Sequence, residues 1–318
     1  MKTGVIGCLN TNNIGDYIQT LAVIKLIGKE YKILDRESLN SYNDEPRKVI
    51  INGWFMEHPL NFPPSSNLKP LFISFHINPN IASDFLTSKT VSYLKEHQPI
   101  GCRDTFTQEL LEKHNIKTFF SSCVTLTLNK TDYISPVYKK NTTLIIGAFD
   151  RLKPYIETNK GLYKRLISTI KTPYKFMNYK IKNLIFNKWL RKQNFELNFA
   201  NQIVEKKISS HEDGLKLAEE VLIKIANSDH IITSRIHSAL PAVGMGKKVI
   251  FINEGLDNIN HRSRLSGLQS FFKSIKLKEI RILNFDTIKV THNHMVYSKK
   301  IKSGLSNIDV GFKIRYRN

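Results

Sequence analysis

Cysteine is scarce in this chain of 318 residues: Cys8, Cys102 and Cys123 are odd in number and widely spaced. That spacing excludes a disulfide framework and a zinc finger, and three buried free thiols are expected. Long apolar runs are also missing. None approaches the roughly 18 residues that a membrane span needs. The apolar stretch near Met1 is too short for a signal peptide and reads as a first strand. A cytoplasmic protein is expected. Acidic residues are in deficit, with 27 Asp and Glu against 48 Lys and Arg and a formal net charge of +21. Such a surplus suits nucleic acid, an anionic membrane or an anionic substrate. Lys, Asn and Ile are abundant throughout, as an AT-rich coding sequence would give, so charge alone selects none of these. There is no Gly-x-Gly-x-x-Gly fingerprint and no Walker A loop, and the histidines lack ligand spacing. No metal and no cofactor are expected.

The remaining composition, 41% hydrophobic and 24% charged, is that of a globular protein, and the length allows two domains. Strand and helix patterns alternate. Strands are expected at Thr3–Leu9, Tyr31–Asp35, Val49–Phe55, Leu71–Ile77 and Pro99–Arg103. Helices are expected at Ile14–Gly28, Ser83–Glu96 and Asp104–His114, the last with Asp104 as N-cap, and one or two short strands between Lys117 and Leu126. After Thr142–Gly147 comes helical or loop material, then an amphipathic helix at Ser209–Ser228, a strand–helix unit at Ile231–Gly246 and a strand at Val249–Ile252. A helix near Arg262–Ile275 and a strand at Glu279–Leu283 follow. This order predicts an α/β chain of two Rossmann-like domains facing a cleft, residues 1–135 and 136–290, with a basic tail over 291–318 that packs back across the first domain or is partly loose.

Three strand-to-helix turns carry candidate chemistry, because ligands of open α/β sheets sit beyond the carboxyl ends of the strands. The first is Asn13-Ile-Gly-Asp16, where Asp16 either complements the helix dipole or faces the cleft, with Gly15 permitting close approach. The second is Gly101-Cys-Arg-Asp104, where Asp104 reads as an N-cap with Arg103 incidental beside it. The third is Thr233-Ser-Arg-Ile-His-Ser-Ala-Leu-Pro-Ala-Val-Gly-Met-Gly246. Here Ser234 and Arg235 precede His237, placing a five-donor guanidinium fork beside a group that titrates near neutral pH. His76 ends an apolar strand and reads as core or site. His261-Arg262-Ser-Arg264 is a helix entry or a source of positive potential.

The third turn resembles the signature of the polysaccharide pyruvyl transferase family, and the first two are similar to its Asn-x-Gly-Asp and Arg-Asp elements. The resemblance implies a GT-B-like fold. It implies transfer of a pyruvyl group from phosphoenolpyruvate to a sugar, forming a cyclic ketal, with a polysaccharide or lipid-linked glycan precursor as acceptor. It assigns His237 as acid/base and Asp16 as the carboxylate that orients or charges it. Arg103 and Arg235 become clamps on the donor, with Ser234, Asn13, Gly15 and His76 as further substrate contacts.

From Lys160 to Lys192 the chain carries ten Lys and Arg, no Asp or Glu, and interleaved aromatics. A solvated face, a single-strand nucleic-acid platform and a membrane-surface segment all fit. The membrane reading is favoured, because acceptors of such enzymes are often carried on polyprenyl lipid at the inner leaflet. Two other functions compete with pyruvyl transfer: a nucleotide-sugar glycosyltransferase on the same frame, and a basic nucleic-acid-binding protein.

Overall fold

A computed structural model of the chain describes residues 2–28, 30–54, 58–138, 141–153, 162–283 and 285–302. The first half runs β1 (Lys2–Gly7), α1 (Ile14–Ile27), β2 (Tyr31–Asp35), β3 (Arg47–Trp54) and β4 (Leu68–His76). It continues with α2 (Ala82–Phe85), α3 (Ser88–Glu96), β5 (Ile100–Cys102), α4 (Thr105–Glu112) and β6 (Thr118–Phe120). The second half runs β7 (Thr142–Ile146), α5 (Leu162–Leu190), β8 (Glu196–Ala200), α6 (His211–Ala226), β9 (His230–Thr233) and α7 (Ile236–Gly244). It ends with β10 (Lys248–Ile252), α8 (Ile259–Leu265) and β11 (Lys273–Ile275).

These strands form two sheets, ordered β2-β1-β3-β4-β5-β6 and β11-β10-β9-β7-β8, and every named pairing is parallel. Counted from its own first strand, the second sheet has the order 2-1-3-4-5, and the first has the same order with a sixth strand added beyond the fifth. This is the flavodoxin-like variant of the doubly wound fold, and its ligand crevice lies where the order reverses, between the first and third strands. Here those places are β1/β3 and β7/β9.

Helix α1 lies between the two sheets. Asn13 caps its start by accepting from the Gly15 N–H at 3.2 Å, and Gly28, at φ 53°, ends it by donating to the Ile24 carbonyl. Its first ten residues are buried except Asp16, because it packs on α6 and α7 as well as on its own sheet. At Gly214 of α6 an added Cβ would lie 2.4 Å from the Tyr17 ring, so only glycine lets these helices approach so closely. The largest apolar cluster accordingly runs from Val5, Ile50 and Ile73 through α1 to Leu144, Ile231 and Phe251 in the other sheet. Separate clusters cover the outer faces, around Phe62, Phe72 and Phe75 on the first sheet and around Phe186, Trp189 and Phe285 on the second. The three cysteines are free and buried.

Several local expectations are corrected. The helix expected over Ser83–Glu96 breaks at Leu86, because the Thr87 hydroxyl accepts from the Thr90 N–H at 3.3 Å and starts α3 anew. The helix expected near Arg262–Ile275 shortens to α8. Gly267, at φ 77°, turns the chain, which continues as a 3-10 turn at Gln269–Phe271 and then β11. Residues Leu277–Ile282 are a 3-10 helix where a strand was expected, and Val124–Thr127 is another after β6. Strand β8 is unanticipated. It lies at a sheet edge with Phe199 exposed and carries no apolar run. The expected strand end at Phe55 and the tail beyond residue 302 lie outside the described residues. Residues 294–302 are helical and reach the first sheet, with Tyr297 5.1 Å from Phe120 and 5.6 Å from Phe271, ring centre to ring centre.

Candidate active site

The two reversal points open onto one cavity of about 150 Å³. Asn13, Asp16 and Gln19 reach it from α1, Gly53 from the end of β3 and Arg103 from the turn after β5. Gln202 and Ile203 come from the loop after β8, Arg235, Ile236 and His237 from the start of α7, and Arg264 from α8. Residues from both sheets thus line a single space, with the N-termini of α1 and α7 at its wall. Helix N-termini favour anions.

Arg103 is 1% exposed, and its burial is compensated from behind. Its backbone N–H donates to the Phe75 carbonyl at 2.8 Å, and its Nη2 reaches Asp104 Oδ2 at 3.4 Å. The same carboxylate oxygen meets His76 Nδ1 at 2.5 Å, while Oδ1 accepts from the N–H and hydroxyl of Thr107. Burial opposes the charge on Asp104, but His76, Arg103 and the Thr107 N–H outweigh it and hold the carboxyl below its ordinary range. Burial first, and Arg103 second, push the His76 imidazolium down to about 4. Neutral His76 therefore donates Nδ1–H to ionised Asp104, which in turn fixes Arg103. His76 stands behind Arg103 and is absent from the cavity lining.

Arg235 is held from the opposite side. Its Nη2 donates to Asp150 Oδ2 at 3.1 Å, and its backbone N–H to Thr233 Oγ1 at 2.9 Å. Gly147, at φ 54°, makes room for this pair, since a Cβ there would collide with the Asp150 carboxylate. Both Arg103 Nε and Arg235 Nε are buried with no hydrogen-bond partner among the described residues. Buried donors are nearly always paired, so two such donors beside one cavity mark a place for an oxygen-rich ligand. Arg264 adds a third guanidinium to the lining.

Gln202 ties the two helix starts together. Its Nε2 donates to Asn13 Oδ1 at 2.8 Å and its Oε1 accepts from the Ser238 hydroxyl at 2.7 Å. Gly15 fits beneath: an added Cβ would lie 2.5 Å from Gln202 Nε2 and 3.0 Å from His237 Nδ1. Asp16 accepts from the Thr11 hydroxyl at 3.1 Å and from Asn13 Nδ2 at 3.4 Å. His237 is 3% exposed and lines the cavity with Asp16. Ser234 does not: its hydroxyl donates to the Gly147 carbonyl at 2.6 Å, and its side lies toward His261 in a smaller neighbouring pocket.

Of the residues singled out in the sequence, Asn13, Asp16, Arg103, Arg235 and His237 share the cavity wall, Gly15 lies just under it, and His76 and Ser234 stand behind it. Sequence reasoning missed Gln202, Asp150, Gln19 and Gly53. The first follows an unrecognised strand, and Gly53, at φ 80°, sits at a register shift in β3 that no turn dipeptide announces. Gln19 Oε1 and Asn52 Oδ1 are buried acceptors with no hydrogen-bond partner among the described residues. No group of three or more His, Cys, Asp or Glu suited to a metal occurs among the described residues.

The family model for polysaccharide pyruvyl transferase matches residues 13–255, which contain the turns bearing Asp16, Arg103 and His237. The chain belongs to the polysaccharide pyruvyl transferase family. It is therefore a transferase of a family that moves pyruvyl groups to polysaccharide. None of the curated proteins matches it. Among solved structures, a functionally uncharacterized protein from Klebsiella pneumoniae is similar at 14% identity and a TM-score of 0.48. That match covers 86% of this chain and 93% of the other, and it is too loose to carry an argument.

Proposed function

We propose that this pyruvyl transferase uses phosphoenolpyruvate as donor and a sugar of a polysaccharide or lipid-linked glycan precursor as acceptor, forming a pyruvate ketal. The observation that carries the reading is the convergence of Arg103, Arg235 and Arg264 on one cavity with His237 and Asp16. A donor bearing both a carboxylate and a phosphate suits guanidinium forks set on different elements. In this proposal His237 protonates the donor's methylene carbon, the adjacent carbon becomes electrophilic, and a sugar hydroxyl adds there, its proton passing to the departing phosphate. Inorganic phosphate leaves, and a second hydroxyl of the same sugar closes the ring, its proton returning to the base. Asp16 orients or charges His237. Gln19 Oε1 accepts from an acceptor hydroxyl, a role consistent with a buried acceptor atom without a partner.

The chain's architecture under this reading is GT-B-like, with Rossmann-like units over 1–135 and 136–290 meeting at the donor cavity and the helix at 294–302 packed through Tyr297 against Phe120 and Phe271. The reaction needs no cofactor. The test is phosphate release from phosphoenolpyruvate, measured with and without a panel of sugar acceptors. Wild type should release phosphate when an acceptor is present, and His237→Ala should reduce release at least about 100-fold while unfolding as cooperatively as wild type. Wild-type rates in His237→Ala would remove the acid/base assignment. A response to nucleotide sugars alone would favour the glycosyltransferase alternative.

A further inference from the structure

Helix α5 spans 29 residues, and its C-terminal part, from Tyr179 on, is seated on the protein. Phe186, Trp189 and Leu190 are buried in the outer cluster of the second sheet, and Lys182 pairs with Glu254 at 2.7 Å, just past the carboxyl end of β10. From residue 166 to 178 the helix continues for roughly 20 Å beyond that anchor. Because α5 connects the parallel neighbours β7 and β8, it runs back across the sheet, and the length before Lys182, whose partner lies just past the end of β10, projects past the carboxyl edge, the edge at which Arg235 and His237 meet the cavity.

The projecting part is not polar. Leu166, Ile170, Tyr174, Met177, Ile181 and Leu184 are exposed by 64%, 69%, 77%, 59%, 48% and 68%. Spaced by four, four, three, four and three residues, they form one stripe roughly 100° wide along the helix. It lies opposite the face that buries Phe186 and Trp189. Lys175 lies away from the stripe, Lys171 and Lys180 flank it on either side, and Lys188 continues its line one turn past Leu184. No acidic residue occurs in α5.

We infer that α5 is a membrane-surface arm, lying in the interface of an anionic bilayer with this stripe toward the acyl chains and its lysines among the headgroups. An amphipathic helix with a continuous apolar stripe, a basic remainder and no acidic side chain has the composition of an interfacial helix. A second copy of the same chain is the poorer partner, because pairing two such stripes would set one wholly basic helix against another. No helix of the described residues is long and apolar enough to cross a membrane, so the arm lies on the bilayer and brings the cavity edge of the sheet toward it. This inference goes beyond the proposed donor chemistry and does not depend on it.

The test is co-sedimentation of the full-length protein with phosphatidylcholine vesicles, with and without about one third phosphatidylglycerol. Wild type should bind the anionic vesicles at least about tenfold more tightly than the neutral ones. Ile170→Asp with Ile181→Asp should abolish binding at low salt as well as high. Lys171→Glu with Lys175→Glu and Lys180→Glu should leave only weak binding that no longer responds to salt. Phosphate release with a soluble acceptor should be unchanged in both variants, which separates failure of this inference from failure of the proposed reaction. No sedimentation of wild type, or full sedimentation of the Ile170 and Ile181 variant, would overturn the inference. So would a dimer of wild type that the variant dissociates, without vesicle binding by either.

Discussion

Neutral His76 buried against ionised Asp104 makes stability depend on pH in a direction that can be worked out. Burial lowers the imidazolium from its ordinary 6.5 to about 4. Each unit corresponds to about 1.4 kcal/mol, so the difference amounts to about 3 kcal/mol. In that interval the unfolded chain binds a proton at His76 and the folded chain does not. The contribution is therefore whole above pH 6.5 and is lost as pH falls toward about 4. Asp104, held below its ordinary range, contributes in the same direction, but only in the more acid range in which carboxylates titrate. The assay is urea unfolding at a series of pH values for wild type and His76→Asn. Asparagine keeps an N–H for Asp104 near the position of Nδ1 and removes the titration. Between about pH 7 and pH 4 wild type should lose about 3 kcal/mol more than the variant, whatever the offset between them at neutral pH. Parallel curves would refute the reasoning. A wild type that gains on the variant as pH falls would show instead that Asp104 holds His76 protonated.

Two substitutions test the geometry around the cavity. Gly15→Ala places a methyl group 2.5 Å from Gln202 Nε2 and 3.0 Å from His237 Nδ1. Thermal unfolding should show a loss of about 1–3 kcal/mol despite alanine's better helix propensity, and kinetics a larger fall in kcat than the stability loss explains. An unchanged kcat would show that the close approach of α1 and α7 does not matter. Ser234→Ala removes the hydroxyl on the Gly147 carbonyl and should cost about 1–3 kcal/mol of stability while leaving donor affinity within about twofold. A large rise in KM for the donor would place Ser234 at the ligand after all.

Much of this arrangement was legible in the residues. The strand–helix turns at Asn13, Arg103 and Arg235 each end a short apolar run and open a capped or small-residue helix, and such punctuation is written locally. Asp104 could be read as an N-cap, and it is one, accepting from the Thr107 N–H. Its second task, holding Arg103 through the carboxylate it shares with His76, depends on β4 lying beside β5, a neighbour 28 residues away in the chain. Gln202 and Asp150 were invisible for the same reason: each acts on a partner brought near only by the parallel crossovers. Strand β8 lacked an apolar signature because it is an edge strand with little to bury, and the α8 region misled because its apolar residues belong to a turn packed on the central cluster and a strand whose Ile275 joins the outer one. The basic aromatic stretch was conspicuous by composition, yet only its placement separates a buried face at Phe186 and Trp189 from an exposed one at Ile170 and Met177.

Titration calorimetry with phosphoenolpyruvate tests the central claim most directly, since it needs no acceptor. Wild type should bind one phosphoenolpyruvate per chain, Arg235→Lys should weaken binding at least about tenfold, because a point charge does not replace a fork, and Arg264→Ala should weaken it comparably. Heat from a nucleotide sugar but none from phosphoenolpyruvate, or equal affinity in wild type and both variants, would contradict the account.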